Sequence, residues 1–537
     1  MREGLMMDDY PLSLTRIVER AEQFSPGRRV AFRRPDGSVG HTSFGEGIAR
    51  ARRLASALAE LGIGAGDAVA TLLFNQPEHL ELYFALPAMG AVLHTLNPRL
   101  HHEELSFIVN DAQDRAIIVD ETLLAVFEAF HPARSFEHVI VVRAGDDPLP
   151  EGYVDFEALI ASAAPMSWPA EDELRAAAMC YTSGTTGRPK GVVYSHRALA
   201  LHSLMGALPD LMDISRRDVI LPVVPMFHAN AWGLIYTAAL IGSGLVLPGP
   251  RLDAESVLDL FESERVTMSA GVPTVWMAIL QALDAEPDRW DLGSITRMIV
   301  GGAAPSKGMM RGFDRHGLRL IQGWGMTETS PLGSVSRPGL ELEDASEEEL
   351  VDDRVRQGIA CPLVEIRGRR DDGELIPWDD AAMGELEVRG PWVARAYHGG
   401  QGADKFTEDG WFRTGDVVCI NALGNLRICD RSKDLIKSGG EWISSVDLEN
   451  LLMSHPDVAE AAVIAMPDER WGERPLAVVV VRAGATVEAD ALREHLAREY
   501  AKWQLPDRFE FVSEIPRTAT GKFKKTALRE LFVSQTV

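Results

Sequence analysis

Residues 181–191 read Tyr181 Thr182 Ser183 Gly184 Thr185 Thr186 Gly187 Arg188 Pro189 Lys190 Gly191, and the rest of the chain makes sense around them. Ala178, Met179, Cys180 and Tyr181 read as the end of a buried strand, and the six residues after them are hydroxylated or glycine. Such a run forms a loop. Glycine lets backbone N–H groups approach an anion, hydroxyls add donors and can reach magnesium, and Lys190 adds a point charge. The spacing is not that of a Walker loop, because two residues separate Gly184 from Gly187 and no Ser or Thr follows Lys190. Three or four such residues would read as a plain surface turn. The whole run ending in Arg-Pro-Lys-Gly reads as a clamp for the phosphates of a nucleotide.

With 537 residues the chain exceeds one core and implies two or three domains. Its 46% hydrophobic and 25% charged residues are those of an ordinary globular protein. The net charge of −25 argues against nucleic acid or an anionic membrane as a partner, so an anion site must be built locally. Charged residues Arg2, Glu3, Asp8 and Asp9 stand where a signal peptide would need an apolar run, so the expected location is cytoplasmic. The apolar stretch 231–247 is shorter than the ~20 residues of a spanning helix and contains glycines, and reads as a buried helix and strand. Cys180, Cys361, Cys419 and Cys429 lack CxxC spacing and read as buried thiols, not as disulfides or zinc ligands.

Residues 44–61, after Thr42 and Ser43, place Ala49, Leu54, Leu58 and Leu61 near helical spacing. Apolar runs at 68–73, 91–95, 116–119 and 139–142 alternate with helical segments such as 77–89, the pattern of parallel strands covered by helices. Phosphate loops sit at strand ends in such folds. A strand at 219–224 runs into Phe227 His228 Ala229 Asn230 Ala231 Trp232, which alone would read as a structural histidine and core aromatics. A strand at 297–300 ends in Gly301 Gly302 Ala303 Ala304 Pro305, small enough for a flat ring to approach the backbone and equally suited to a tight turn. Gln322 Gly323 Trp324 Gly325 Met326 Thr327 Glu328 sets a hydroxyl beside a carboxylate, which suits a phosphate contact by Thr327 and a magnesium contact by Glu328. The acidic run 341–353 reads as solvated surface. Residues 384–390 alternate as a strand of a more antiparallel subdomain, and Asp416 stands at a turn, where it would bond its own backbone. Charged residues 430–437 followed by Ser438 Gly439 Gly440 make a linker, with the domain boundary near Lys433. The last hundred residues read as an α+β unit, with strands at 462–465 and 476–481 and Leu492, Leu496 and Tyr500 on one helix face.

In this order, from 181 to 522, the segments resemble the adenylate-forming superfamily of acyl-CoA synthetases, peptide adenylation domains and luciferases. The Phe-His-Ala-Asn-Ala-Trp segment and the stretch from Asp430 to Ile443 look most like fatty acyl-CoA synthetases. The resemblance implies an α/β fold. Its large N-terminal domain, 1–432, has parallel-sheet α/β subdomains plus a β-rich subdomain, and a small mobile α+β domain, 433–537, carries the catalytic lysine. It implies ATP, magnesium and coenzyme A as cofactors, a small carboxylic acid as substrate and a homodimer as one assembly open to the chain. By resemblance Lys522 is the catalytic lysine and His228 lies beside the reacting carboxylate. Trp232 gates an acyl tunnel that Asn230, Val272, Trp276, Gly301 and Gly302 help line. Gly302, Ala303, Pro305, Gln322, Gly323 and Trp324 belong to the nucleotide site, Asp416 and Arg431 contact the ribose, and Lys433 is the hinge. Ser438, Gly439 and Gly440 help form the pantetheine passage, and Lys437 and Trp442 beside them belong to the cofactor site.

The chemistry implied is attack of the carboxylate on the α-phosphorus of ATP, then attack of a thiol on the acyl adenylate. Lys522 would bridge carboxylate and α-phosphate, Glu328 with Thr185 would hold magnesium, and residues 182–190 would hold the departing pyrophosphate. Two enzyme alternatives keep the adenylation: a short-chain ligase, for an acid such as methylthiopropionate, and an acyl-AMP ligase that loads a carrier-protein pantetheine. A nucleotide-binding scaffold is disfavoured, since Lys190, Glu328, Asp416 and Lys522 are all present.

Overall fold

The computed structural model describes residues 7, 9–131, 136–145, 147–182, 188–439, 441–517 and 523–533. Ser183, Gly184, Thr185, Thr186, Gly187, Gly440 and Lys522 therefore lie outside the described residues.

Among the described residues the strands form sheets of thirteen, seven and five members. The alternating apolar runs make the seven-stranded sheet, where Ala68–Leu72, Val92–Thr95, Ala116–Asp120 and His138–Val142 run parallel. It ends in an antiparallel pair, Ala176–Tyr181 with Gly191–Ser195. The thirteen-stranded sheet has a parallel centre, Val219–Pro222, Met268–Gly271, Arg297–Val300 and Leu320–Gly325. It continues antiparallel through Leu332–Val335, Gly358–Ala360, Asn425–Arg431, Phe412–Ile420 and Gly384–Arg389. The β-rich part is thus an extension of the same sheet.

One core fills the space between these sheets, from Leu14, Val18 and Leu54 to Tyr83, Tyr236, Trp232 and Trp324. The helix Phe44–Glu60 starts as its sequence dictates, with Ser43 Oγ accepting from the Glu46 N–H and Glu46 accepting from both Ser43 and Thr42. Its buried face is Phe44, Ile48, Ala51, Leu54, Ala55 and Leu58, which includes the expected Leu54 and Leu58, while Ala49 is exposed and Leu61 is half-buried just past the helix end. Residues 231–247 hold the helix Leu234–Ile241 and the strand Gly244–Leu247, and no described helix is long and apolar enough to cross a membrane.

The C-terminal five-stranded sheet shows the period-two signature of a sheet buried on both faces. Ala461, Val463, Ala477 and Val479 face the helices Ser445–Met453 and Ala489–Leu496, while Ala462, Ile464, Leu476 and Val478 face Leu528 of Lys525–Phe532. Tyr500 lies beyond the helix that carries Leu492 and Leu496, although its N–H still bonds the Leu496 carbonyl at 3.0 Å. The unit is tied to the large sheet where Asp430 Oδ2 accepts from the Ser445 N–H at 2.6 Å, and within it Arg529 meets Asp434 at 2.6 Å.

Candidate active site

The candidate phosphate loop is the connection of a hairpin. Tyr181 pairs with Gly191, the Thr182 N–H donates to the Lys190 carbonyl at 3.0 Å, and the Lys190 N–H donates to Thr182 Oγ1 at 3.2 Å. The neck is therefore closed, and Lys190 leaves it with its ammonium 5.1 Å from the centre of the Tyr397 ring.

That ring also reaches the Thr-Glu pair. Tyr397 Oη donates to Glu328 Oε1 at 2.5 Å, and the Ala394 N–H donates to the Glu328 carbonyl at 2.7 Å. Tyr194 Oη donates to the Thr327 carbonyl at 2.8 Å. Both Thr327 and Glu328 are buried, in a short turn that follows Leu320–Gly325. Burial, and then the carboxylate beside it, raises Tyr397 well above an ordinary phenol, so it stays a donor. No local pattern marks Tyr397 or Tyr194, since each acts on residues far away in the chain.

Asp416 and Arg431 are cross-strand partners on Phe412–Ile420 and Asn425–Arg431. Arg431 Nε donates to Asp416 Oδ1 at 2.6 Å, and Trp324 Nε1 donates to Asp416 Oδ2 at 3.0 Å. The Asp416 N–H is held by Thr414 Oγ1 at 3.0 Å. This buried carboxylate is fixed by two donors and still has lone pairs for further donors. Asp416 lies within a strand, not at a turn, and its carboxylate bonds residues of two other strands.

Gly301 has no room for a side chain. A Cβ there would come 3.0 Å from the Gly323 carbonyl oxygen and 3.0 Å from the Trp232 indole, and one on Gly302 would come 3.3 Å from Val272 Cγ1. Trp232, Val272, Gly301, Gly302 and Gly323 are thus one contact group at the ends of adjacent strands, with Pro305 buried and Ala303 exposed beyond it. His228 lines a pocket with Thr95, Tyr181, Thr182 and Phe227. Asn230 is buried and accepts from Cys180 Sγ at 3.2 Å.

Two residues point elsewhere. Trp276 is fully buried in a second core with Leu280, Met298 and Phe313, its indole N–H on the Ile299 carbonyl at 3.1 Å, so it does not share the Trp232 group. The Gln322 amide, oriented to donate to the Arg356 carbonyl at 3.0 Å and accept from Gln357 at 2.7 Å, faces the antiparallel part of the sheet. The strand pair Ile436–Ser438 and Glu441–Ile443 also bonds away from Asp416 and Glu328. Ser438 Oγ accepts from Arg474 at 3.1 Å, the Gly439 N–H donates to the Trp471 carbonyl at 2.7 Å, and Lys437 meets Asp371 at 3.4 Å and the Trp442 ring at 5.6 Å. Lys433 lies two residues after Arg431, and its carbonyl accepts from Arg529 at 3.4 Å.

Among the described residues no three His, Cys, Asp or Glu side chains gather as a cage for a metal. Magnesium does not need one, since it commonly takes one or two protein carboxylates and completes its shell with phosphate and water. Glu328, an oxygen donor held by one phenol, fits that habit. The four cysteines are free and buried.

The model of the AMP-binding enzyme family matches residues 18–398, and that of the AMP-binding enzyme C-terminal domain matches 447–522. The chain is 48% identical over 531 residues to a long-chain-fatty-acid–CoA ligase of Thermus thermophilus, covering 98% of this chain and 96% of the relative. It is 42% identical over 528 residues to a 3-methylmercaptopropionyl-CoA ligase of Ruegeria pomeroyi, covering 97% of each. The ATP-bound crystal structure of MatB from Rhodopseudomonas palustris superposes with a TM-score of 0.83 at 27% identity, covering 98% of this chain and 100% of that one. The chain belongs to the AMP-binding enzyme family, the adenylate-forming superfamily.

Proposed function

We propose that the protein is an AMP-forming acid–thiol ligase that joins a fatty or related aliphatic acid to coenzyme A by way of an acyl adenylate. The observation that carries this reading is the chain of contacts at the Thr182–Lys190 neck: Lys190 faces the Tyr397 ring, and Tyr397 holds the buried carboxylate Glu328. Family membership and full-length similarity to CoA ligases support the reaction class.

A carboxylate acylates poorly because its leaving group would be oxide, so it must first be joined to a group that leaves as a stable anion. Attack on the α-phosphorus of ATP achieves this and crowds negative charge, which favours fixed cations around the reacting atoms. In this reading Thr182, Ser183, Gly184, Thr185, Thr186, Gly187 and Lys190 cradle the departing pyrophosphate. Thr327 contacts phosphate, and Asp416 with Arg431 orients the ribose. Lys522 bridges the acid and the α-phosphate, and His228 lies beside the carboxylate. Magnesium, when bound, supplies further positive charge against the phosphates, with Glu328 and Thr185 as the residues that would hold it. Trp232, Val272, Gly301 and Asn230 wall the acid, and apolar walls exclude water from the mixed anhydride.

A small C-terminal domain, 433–537, would then turn at Lys433. The move withdraws Lys522 and opens a passage by Lys437, Ser438, Gly439, Gly440 and Trp442 for the thiol of coenzyme A. A cytoplasmic location is part of the reading, supported by four unpaired thiols, and no nucleic-acid partner is required. The 3-methylmercaptopropionyl-CoA ligase relative favours a second reading, a short sulfur-containing acid in place of a long chain.

The test is pyrophosphate release from the purified protein with MgATP across straight-chain acids from propionate to palmitate, methylthiopropionate and an aryl acid, with and without coenzyme A. A peak at one chain length that requires coenzyme A supports the ligase. Release independent of coenzyme A, with acyl-AMP left bound, moves the acceptor to a carrier protein.

A further inference from the structure

The segment that follows His228 has an unusual backbone. Ala229, Asn230, Ala231 and Trp232 have φ of 41°, 52°, 50° and 54°, and Gly233 continues at 75°. A left-handed turn of non-glycine residues sets each Cβ against the following carbonyl, so it persists only where the surroundings over-determine it. Ala229, Asn230 and Ala231 are 2%, 1% and 0% exposed, so water is not what stabilises them.

Two side chains from the seven-stranded sheet hold the turn. Thr95 Oγ1, at the end of Val92–Thr95, donates to the Phe227 carbonyl at 3.1 Å. Cys180 Sγ, two residues before the phosphate-loop neck, donates to Asn230 Oδ1 at 3.2 Å and lies 3.3 Å from Thr95 Oγ1. Burial pushes the Cys180 thiol up, so it keeps its proton and remains a donor. With the hydroxyl hydrogen on the Phe227 carbonyl and the thiol hydrogen on Asn230 Oδ1, the Asn230 carbonyl oxygen faces Cys180 and Nδ2 faces away. Asn230 Nδ2 is a fully buried donor with no protein partner. Such a donor is costly unless something accepts from it. Asn230 lies two residues after His228, which lines a pocket, and two before Trp232, which covers Gly301.

We propose that Thr95 and Cys180 are positioning residues for the acid half of the site: they hold the left-handed turn and orient Asn230 so that its Nδ2 donates to a carboxylate oxygen of the acid. The inference rests on the ligase reading above and adds to it the device that sets acid recognition. It places acid binding, unlike MgATP binding, under the control of a buried thiol and hydroxyl that act through Asn230.

The experiment measures initial rates of pyrophosphate release, with KM for the acid and for MgATP determined separately, using the straight-chain acid that the unaltered protein turns over best. The variants are Cys180→Ala, Cys180→Ser, Thr95→Val and Thr95→Ser. Loss of the thiol or the hydroxyl is expected to raise the acid KM at least ten-fold, by the logic that an oriented buried donor discriminates strongly, while MgATP KM stays within about two-fold. Cys180→Ser and Thr95→Ser keep a donor and are expected to return the acid KM to within about three-fold of the unaltered value. An acid KM unchanged in Cys180→Ala, a parallel rise in both KM values, or a serine variant no better than its apolar counterpart would overturn the inference. Should Cys180→Ala fail to fold, by circular dichroism, the Thr95 pair carries the same comparison. An unaltered protein that releases no pyrophosphate with any acid overturns the ligase reading and this inference together, whereas normal turnover with any of those variant results overturns the inference alone.

Discussion

Arg431 and Asp416 face each other across adjacent antiparallel strands, with Nε 2.6 Å from Oδ1, while the second carboxylate oxygen is taken by the Trp324 indole at 3.0 Å. One acidic side chain therefore fixes a cation and an aromatic ring contributed by two other strands. Substitution Asp416→Ala removes both acceptors and leaves the indole N–H buried. It is expected to cost about 2 kcal/mol of stability, on the scale of hydrogen bonds to charged groups, with the partly exposed Arg431 adding little. On the proposed function MgATP KM rises at least roughly ten-fold by the same arithmetic, and urea unfolding and pyrophosphate-release kinetics measure the two effects.

Tyr397 is bonded to Glu328 at 2.5 Å and lies under Lys190. Tyr397→Phe keeps the ring and loses only the hydrogen bond. A roughly five- to thirty-fold fall in kcat/KM for MgATP is expected, about 1–2 kcal/mol for a lost charge-assisted bond, with acid KM little changed. A shift in the magnesium concentration for half-maximal rate is the companion readout, because the phenol orients the proposed magnesium ligand.

Gly233 combines a φ of 75° with a wall. A Cβ there would come 2.4 Å from His202 Nδ1. Gly233→Ala is expected to destabilise by about 2–4 kcal/mol, from backbone strain and overpacking together. The double variant Gly233→Ala/His202→Ala removes the clash and keeps the backbone cost. The thermal midpoint of the pair is then expected to be higher than the sum of the single losses predicts.

Burial lowers His79 and His202 from 6.5 to about 4, so both are neutral in the folded protein at neutral pH. His202 Nε2 accepts from the Leu332 N–H at 3.1 Å, a bond that needs the neutral ring. The unfolded chain binds these protons from pH 6.5 downward and the folded chain does not. Stability is therefore complete above pH 6.5 and is lost as pH falls toward about 4, by up to ~1.4 kcal/mol per unit for each ring. His202→Gln, which retains an acceptor and cannot titrate, is expected to shrink the loss between pH 7 and pH 5 by about 2 kcal/mol in urea unfolding.

Lys525 opens the last helix and lies 2.6 Å from Glu449, itself raised to about 7 by burial. Lys525→Met leaves that carboxylate without its partner. The expected loss at pH 8 is about 3–5 kcal/mol for a broken buried pair. It is smaller at pH 6, where the raised carboxyl takes up a proton in the folded state. Denaturation of the variant at the two pH values decides this.

The parallel α/β core was legible because it is written locally. Strand runs, glycines and hydroxyls act on their own backbone within a few residues. The helix Phe44–Glu60 shows the limit, since its cap was readable while its buried face was set by the helices Leu14–Phe24 and Pro77–Ala88 that pack on it. Trp276 shows it again, because small neighbours admit a ring from either side of a sheet and only packing says which.

The sequence by itself determined the family's order of motifs, the elements and the residue types that the chemistry requires, because these depend on short-range periodicity and on functional groups. Tertiary structure alone decided which side-chain acceptor meets which donor. Tyr397 on Glu328, Trp324 on Asp416 and Cys180 on Asn230 join residues 69, 92 and 50 positions apart. No local propensity encodes such pairs, since hydrogen bonds of that separation form only after the burial of apolar surface has brought the sheets together.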